Sequence, residues 1–308
     1  MFGLPKKKAT LRDIHAIEPM AREAFEFARI HNKYQTERIL TDIPGPWWTH
    51  AVKMGERYDE LVGRAEAFRL HFDRVCAPMV FSHDWFSDKL WLWHEILAPY
   101  RDSKVRILEV GAFEGRSIVF FAEYLPKSLI VAIDHFALKK GWTSTQGVIL
   151  SQDTEISFDH NVLRYGERIR KIRMESVPGL TLLVAERAKF EIIYIDASHT
   201  AGDVLSDALL AWRLLKIGGL MIFDDFLLDV CQWDEGPVGP GVIWFLKIVS
   251  GSYDWVHAGW QVVVRKTAAP HQWLKRIRLR YTLRGQRNRV RELIGMEDNG
   301  AQRSKARS

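Results

Sequence analysis

The stretch Ile107-Leu108-Glu109-Val110-Gly111-Ala112-Phe113-Glu114-Gly115-Arg116-Ser117 runs from a short apolar block through a glycine-spaced turn into a helical pattern. It reads as strand, tight turn and helix start, and the chain repeats that alternation downstream. Apolar runs at 105–110, 129–134, 169–174, 192–196 and 219–223 are predicted strands, and helices are predicted near 115–125, 155–165, 179–187 and 200–215. Such spacing predicts a parallel sheet with crossover helices. After a Gly/Pro loop at 236–241 and a helix at 242–250, two last strands at 253–257 and 261–266 are separated only by Ala258, Gly259 and Trp260. Three residues cannot make a parallel crossover, so this pair must be an antiparallel hairpin.

The predicted fold class is therefore α/β, a Rossmann-like sheet over residues 105–266 ending in an antiparallel hairpin. A helical amino-terminal extension covers 1–104 and a basic carboxy-terminal helix or tail covers 267–308. In the extension, Ile17, Met20, Ala24 and Phe27 recur at helical spacing, the segment 43–48 breaks the pattern, and helices are expected at 54–75 and 85–100.

Composition sets the outer bounds. The chain has 308 residues, 47% of them hydrophobic and 27% charged, the balance of a globular protein. No apolar run approaches the roughly 18 residues of a membrane span. Lys6, Lys7 and Lys8 are not followed by an apolar segment, so no secretory signal is visible and a cytoplasmic site is expected. Cys76 and Cys231 form neither a disulfide framework nor a metal-type spacing. The net charge of +6 comes from the tail, which carries 11 Lys and Arg against 3 Asp and Glu. Nucleic-acid binding is not expected of the body. In the tail, Leu274, Ile277 and Tyr281 share a helical face ringed by Lys275, Arg276, Arg278, Arg284 and Arg287. That pattern suits peripheral contact with an anionic membrane or RNA, or else a solvated terminus.

The loop sets the ligand chemistry. Ligands of open α/β sheets bind at the carboxyl ends of the strands, where strand order reverses. Gly111 and Gly115 have the spacing G-x-x-x-G, whereas dinucleotide binders use G-x-G-x-x-G to seat a pyrophosphate on a helix amino terminus. Glu109 in the turn would repel phosphate and suits a cation, while Asp134 at the end of the second strand is placed to accept from both hydroxyls of a ribose. An adenosine carrying a positive, phosphate-free appendage satisfies both acids, and S-adenosylmethionine is such a ligand. Alternatively the two acids end strands and the glycines turn the chain.

Residues 105–266 resemble a class I S-adenosylmethionine-dependent methyltransferase, and the runs Ile193 to His199, Asp203 to Asp207, Leu214 to Gly219 and Ile222 to Asp225 resemble methyltransferase domain family 24. Asp84-Trp85-Phe86 carries a fainter likeness upstream. The resemblance implies Glu109, Gly111 and Gly115 for the methionine moiety, Asp134 for ribose and Ser176 for the adenine side, with Ser117 and Asp196 completing the cofactor set. It also implies an acceptor hydroxyl on a sugar or other small secondary metabolite.

Asp196 closes the fourth strand, and Asp224 with Asp225 the fifth, so three carboxylates are expected to meet at the cofactor edge. Acids crowded in this way call for a cation, Mg²⁺ or else Mn²⁺ or Ca²⁺. The same positions are acidic in macrocin-type sugar O-methyltransferases, and similar catechol O-methyltransferase has Asn in place of Asp225. Successive strand residues can also point apart, leaving no metal site. His199 stands where catechol O-methyltransferase has a lysine base. It is a candidate base with Asp196 beside it, or a side chain that fixes the turn. Trp47, Trp48, Trp85, Trp91 and Trp93 either stack on an acceptor or pack a helical layer, while Trp142 and Trp233 are the better acceptor-contact candidates. The rival readings are a nicotinamide oxidoreductase and a noncatalytic protein working through its tail.

Overall fold

The computed structural model describes residues 11–32, 42–144 and 147–268. Seven strands form one sheet: β1 Arg106–Val110, β2 Leu129–Asp134, β3 Ile169–Arg173, β4 Phe190–Ile195, β5 Leu215–Phe223, β6 Tyr253–Ala258 and β7 Val262–Lys266. Their order is β3-β2-β1-β4-β5-β7-β6. The five strands β1 to β5 run parallel, and β7 pairs antiparallel with both β5 and β6. The chain builds outward from β1 through β2 to β3, then returns to β4 on the other side, so the order reverses between β1 and β4. That reversal opens the crevice in which such sheets bind ligands.

β1 is nearly continuous in apolar residues because both faces of the sheet are covered. Alternate residues enter different cores. Leu108, Val110, Ile193 and Ile195 pack with the helices Ser176–Ala185, Ala201–Leu214 and Val238–Ile248 on one face. Ile107, Ile192, Tyr194 and Ile222 pack with the helices Tyr58–Cys76, Leu90–Leu97 and Arg116–Tyr124 on the other.

The extension thus serves both cores. Trp47 and Trp48 join the first with Phe25, while Trp91 and Trp93 join the second. These four tryptophans are packing residues, and Trp93 also donates its indole N–H to Gln261 Oε1 at 2.8 Å, tying the extension to the terminal hairpin.

Two expected boundaries move for physical reasons. The segment 43–48 breaks the helical pattern only at Ile43 and Pro44 and from Gly45 already starts the helix Gly45–Gly55, with proline in the first turn where its missing N–H costs nothing. Likewise, the Gly/Pro loop after β5 is shorter than expected, because the last helix begins at Val238. A Cβ on Gly241 would stand 2.4 Å from the Ala201 carbonyl oxygen, so glycine there lets two helices touch backbone to backbone. Residues 269–308, including the predicted tail helix, lie outside the described residues. Among the described residues no helix is long and apolar enough to cross a membrane.

Candidate active site

The glycine turn is held from below. Gly111 has φ +89°, and a Cβ on it would lie 1.9 Å from the Asp196 carbonyl oxygen, so this residue sets how closely β1 and β4 approach at the crevice. Beyond it, the N–H groups of Ala112 and Phe113 both donate to Asp134 Oδ2 at 2.9 Å, and the Phe136 N–H donates to Oδ1 at 2.7 Å. Asp134 is therefore first a clamp on the loop. Three of its acceptor positions are already filled, which leaves room for one ribose hydroxyl on Oδ1 rather than for both.

Under the turn, Glu109 is buried and accepts from the Ser117 hydroxyl, while its second oxygen, Oε2, has no partner. Burial pushes this carboxyl well above the usual carboxylate range, and the nearby acids Asp196 and Asp134 push it the same way.

Above the turn lies a cavity of about 500 Å³. Gly111, Asp134, Ser176, Asp196 and His199 all line it, joined by Trp85, Phe113 and Trp142. Glu109, Gly115 and Ser117 do not line it; they support its floor. Of the two loop tryptophans, Trp142 is at the rim, but Trp233 is buried against Phe226 at a ring distance of 5.5 Å and belongs to the core. Four acids line the cavity, Asp134, Glu175, Asp196 and Asp203, without a lysine or arginine among the lining residues. Two amides that could face a phosphate are spent on Asp134. Such a wall suits a cationic ligand and disfavours a dinucleotide.

The β4–β5 corner is more heavily charged. The left-handed backbone at Asp225, φ +54°, turns it away from Asp224, so the two acids find different partners. Asp225 pairs with His199 Nε2 at 3.2 Å and accepts the Trp260 indole N–H at 3.1 Å. Asp224 points inward and pairs with the Lys89 ammonium at 2.7 Å. The Tyr194 hydroxyl lies between Asp224 and Asp196, 2.7 Å from the latter and closer still to the former.

A phenol has one proton and cannot donate to both acids. The arrangement closes when Asp196 keeps its own proton and donates to the phenol oxygen, while Tyr194 donates to Asp224. Burial raises Asp196 well above the carboxylate range, reinforced by the charges of Asp224 and Asp225, in keeping with that proton. At Asp225 burial pushes upward too, but the His199 hydrogen bond and the Lys89 charge prevail and hold its carboxyl low. His199 moves the opposite way, raised to about 9 by its hydrogen bond to Asp225 against the effect of burial.

His199 does not fix the turn into the next helix. Thr200 caps that helix, with its hydroxyl accepting from the Asp203 N–H, and the Ser198 and Thr200 hydroxyls both donate to the Asp203 carboxylate. The three acids expected to share a cation are thus divided. Asp196, Asp225 and His199 offer ligand atoms within 4.8 Å of one another, whereas Asp224 is occupied by Lys89.

Sequence reasoning missed Lys89, Tyr194 and Trp260. Tyr194 was within reach, since alternation along β4 puts it on the same face as Asp196. A lone lysine ahead of the apolar run Leu90-Trp91-Leu92-Trp93 was the available signal for Lys89.

The strand order, the terminal hairpin and the acid-lined cavity at the reversal define the class I methyltransferase fold. Residues 108–226 match the family described as Methyltransferase domain, Methyltransf_24. No curated protein sequence matches the chain.

Similar solved structures include the MycE methyltransferase from the mycinamycin biosynthetic pathway in complex with Mg, SAH and mycinamycin VI. Its identity is 15% over 79% of this chain and 62% of that one, with a TM-score of 0.44. The chain thus spans 62% of the length of that protein. The O-methyltransferase TomG from Streptomyces achromogenes, involved in tomaymycin synthesis and solved with SAM, is 16% identical over 67% of this chain and 98% of that one, at a TM-score of 0.47. A putative caffeoyl-CoA O-methyltransferase from Staphylococcus aureus is 17% identical over 69% and 98%, at 0.44.

Proposed function

We propose that the protein is an S-adenosylmethionine-dependent O-methyltransferase acting on a hydroxyl of a small acceptor, a sugar or another secondary metabolite. The observation that carries this reading is the cavity that gathers Gly111, Asp134, Ser176, Asp196 and His199 behind a wall of acids. The wall matches the positive sulfonium and ammonium groups of the donor. When bound, S-adenosylmethionine supplies an electrophilic methyl, so that an acceptor oxygen forms its C–O bond as the C–S bond breaks.

The chain's own part is alignment and proton removal. Asp134 holds the turn that shapes the donor side. Trp85 packs on Phe113 at a ring distance of 5.1 Å, and the two rings line one wall of the cavity. His199 faces the cavity and takes the acceptor proton. Raised to about 9 by Asp225, it is a better base as pH climbs toward that value.

A second reading follows from the grouping of Asp196, His199 and Asp225. Their two carboxylates and one imidazole fit a divalent cation, and the imidazole suits Mn²⁺ better than the Mg²⁺ expected from acids alone. Such a cation would lower the pKa of an acceptor hydroxyl, and His199 would then be a ligand rather than the base.

Calorimetry with S-adenosylmethionine, SAH and NAD tests the donor. Binding of NAD alone would overturn the proposal. Methyl transfer from labelled donor to a metabolite panel, before and after exhaustive chelation, tests the rest. His199→Ala is expected to lower turnover about 10²- to 10⁴-fold with donor affinity retained. Full activity after chelation leaves the base reading, and loss restored by Mn²⁺ leaves the cation reading.

A further inference from the structure

The acid cluster carries a cation of its own. Lys89 ends the short turn Ser87–Lys89, upstream of residues 108–226, and its side chain is only 8% exposed beside Asp224 at 1%. Burying an ammonium is costly, and a buried ion pair often adds less stability than a well-packed apolar pair of the same volume. An apolar side chain of the same length would avoid that cost. A lysine at this position is therefore explained by charge rather than packing.

Its partner is Asp224, the residue just after β5, and through Tyr194 the ion pair reaches Asp196. Asp224 has one oxygen on Lys89 and Tyr194, and its other oxygen accepts the Asp225 N–H at 2.8 Å. Both oxygens are committed inside the protein. On the cavity side, only Asp196, His199 and Asp225 offer a converging set of ligand atoms among the described residues.

We propose that Lys89 is the resident counter-ion of this corner, a positioning residue that withholds Asp224 and thereby limits how strongly the site takes a divalent cation. The inference rests on the functional reading of the same corner given above. With Lys89 in place, the three carboxylates and the ammonium leave two negative charges if all three acids are ionised, matching one divalent ion. Without it a third negative charge is uncompensated, and Asp224 keeps only Tyr194 and the Asp225 N–H as partners, so that it can turn toward a cation. The segment upstream of the methyltransferase domain thus sets the electrostatics of the domain's own active site.

The test is titration of the full chain with Mn²⁺ by calorimetry, for wild type, Lys89→Met and the double variant Lys89→Met/Asp224→Asn. The double variant replaces the buried ion pair with a neutral pair of similar size, so it remains informative if the single variant folds poorly. Lys89→Met is expected to bind Mn²⁺ at least tenfold more tightly than wild type, and the double variant to return to within threefold of wild type. Lys89→Arg, which keeps the charge, should stay near wild type.

Equal or weaker Mn²⁺ binding in folded Lys89→Met would overturn the proposal, as would no binding in any variant. A tenfold loss in the double variant relative to wild type would also overturn it, since Asp224 would then already be a ligand. SAH titrated into the same samples separates the two readings. Failure of SAH to bind wild type removes the methyltransferase assignment, while the Mn²⁺ series still reports on Lys89.

Discussion

On the β2 side of the crevice, one carboxylate is matched to backbone amides. Asp134 receives N–H groups from positions 21, 22 and 2 residues away in sequence, all neutral backbone donors, two from the glycine turn after β1 and one from the segment after β2. On the β4–β5 side, formal charges face each other and their partners come from far away. Lys89 is 135 residues from Asp224, and Trp260 is 35 from Asp225. The first side is a rigid cradle whose satisfaction is local, and the second is a balance of charges that any bound ion or proton can tilt. Shape on the β2 side is thereby insulated from the electrostatics of the β4–β5 side.

The sharpest way to break that contrast is Gly111→Ala, at the seam between the two sides. Its Cβ would meet the Asp196 carbonyl oxygen at 1.9 Å from a backbone with φ +89°. The cost is expected to reach about 3 kcal/mol or more, which thermal melting would show as a fall of at least about 6 °C. A melting point unchanged within a degree or two would mean that the two sides are not so closely joined.

Asp134→Ala tests the cradle alone. It strips acceptors from three N–H groups, so a loss of about 2 kcal/mol and roughly tenfold weaker donor binding are expected. Hydrogen exchange at Ala112 and Phe113 should accelerate even without ligand. Weaker binding with unchanged exchange would assign Asp134 to the ribose rather than to the loop.

The smallest expected effect concerns the charged side. In the ligand-free protein the His199 imidazole should titrate near 9 by NMR, and Asp225→Asn should bring it back toward 6.5. Because the folded value is the higher one, the pair contributes its full stability below pH 6.5 and loses it as pH rises through about 9. The His199 side chain is 55% exposed, so solvent screens the pair and its contribution should stay below about 1 kcal/mol. A midpoint that remains near 9 in Asp225→Asn would show another group to be responsible.

The two sides also differ in how well the sequence foretells them. The strands, the reversal of order, the hairpin and the glycine turn are local patterns of period and spacing, and the structure reproduces them with shifts of a few residues. Asp134, Ser176, Asp196 and His199 were placed at one edge because strand ends of a parallel sheet converge there. The division of Asp224 from Asp225 depends on one left-handed residue, and the role of Lys89 on packing between segments that no local pattern connects. Glu109 was read as facing a ligand, yet it lies beneath the turn, since the period of a strand fixes a face but not the depth of the floor above it.

The bond from the Trp260 amide to Glu18 spans 242 residues, and it holds the indole whose N–H reaches Asp225. Closing so long a loop gains nothing until the intervening sheet exists, so this contact belongs to the last stage of folding. A nascent chain would therefore complete the turn around Asp134 well before the corner around Asp225, which closes only when Glu18, ahead of the helix Pro19–His31, meets Trp260 in the terminal hairpin.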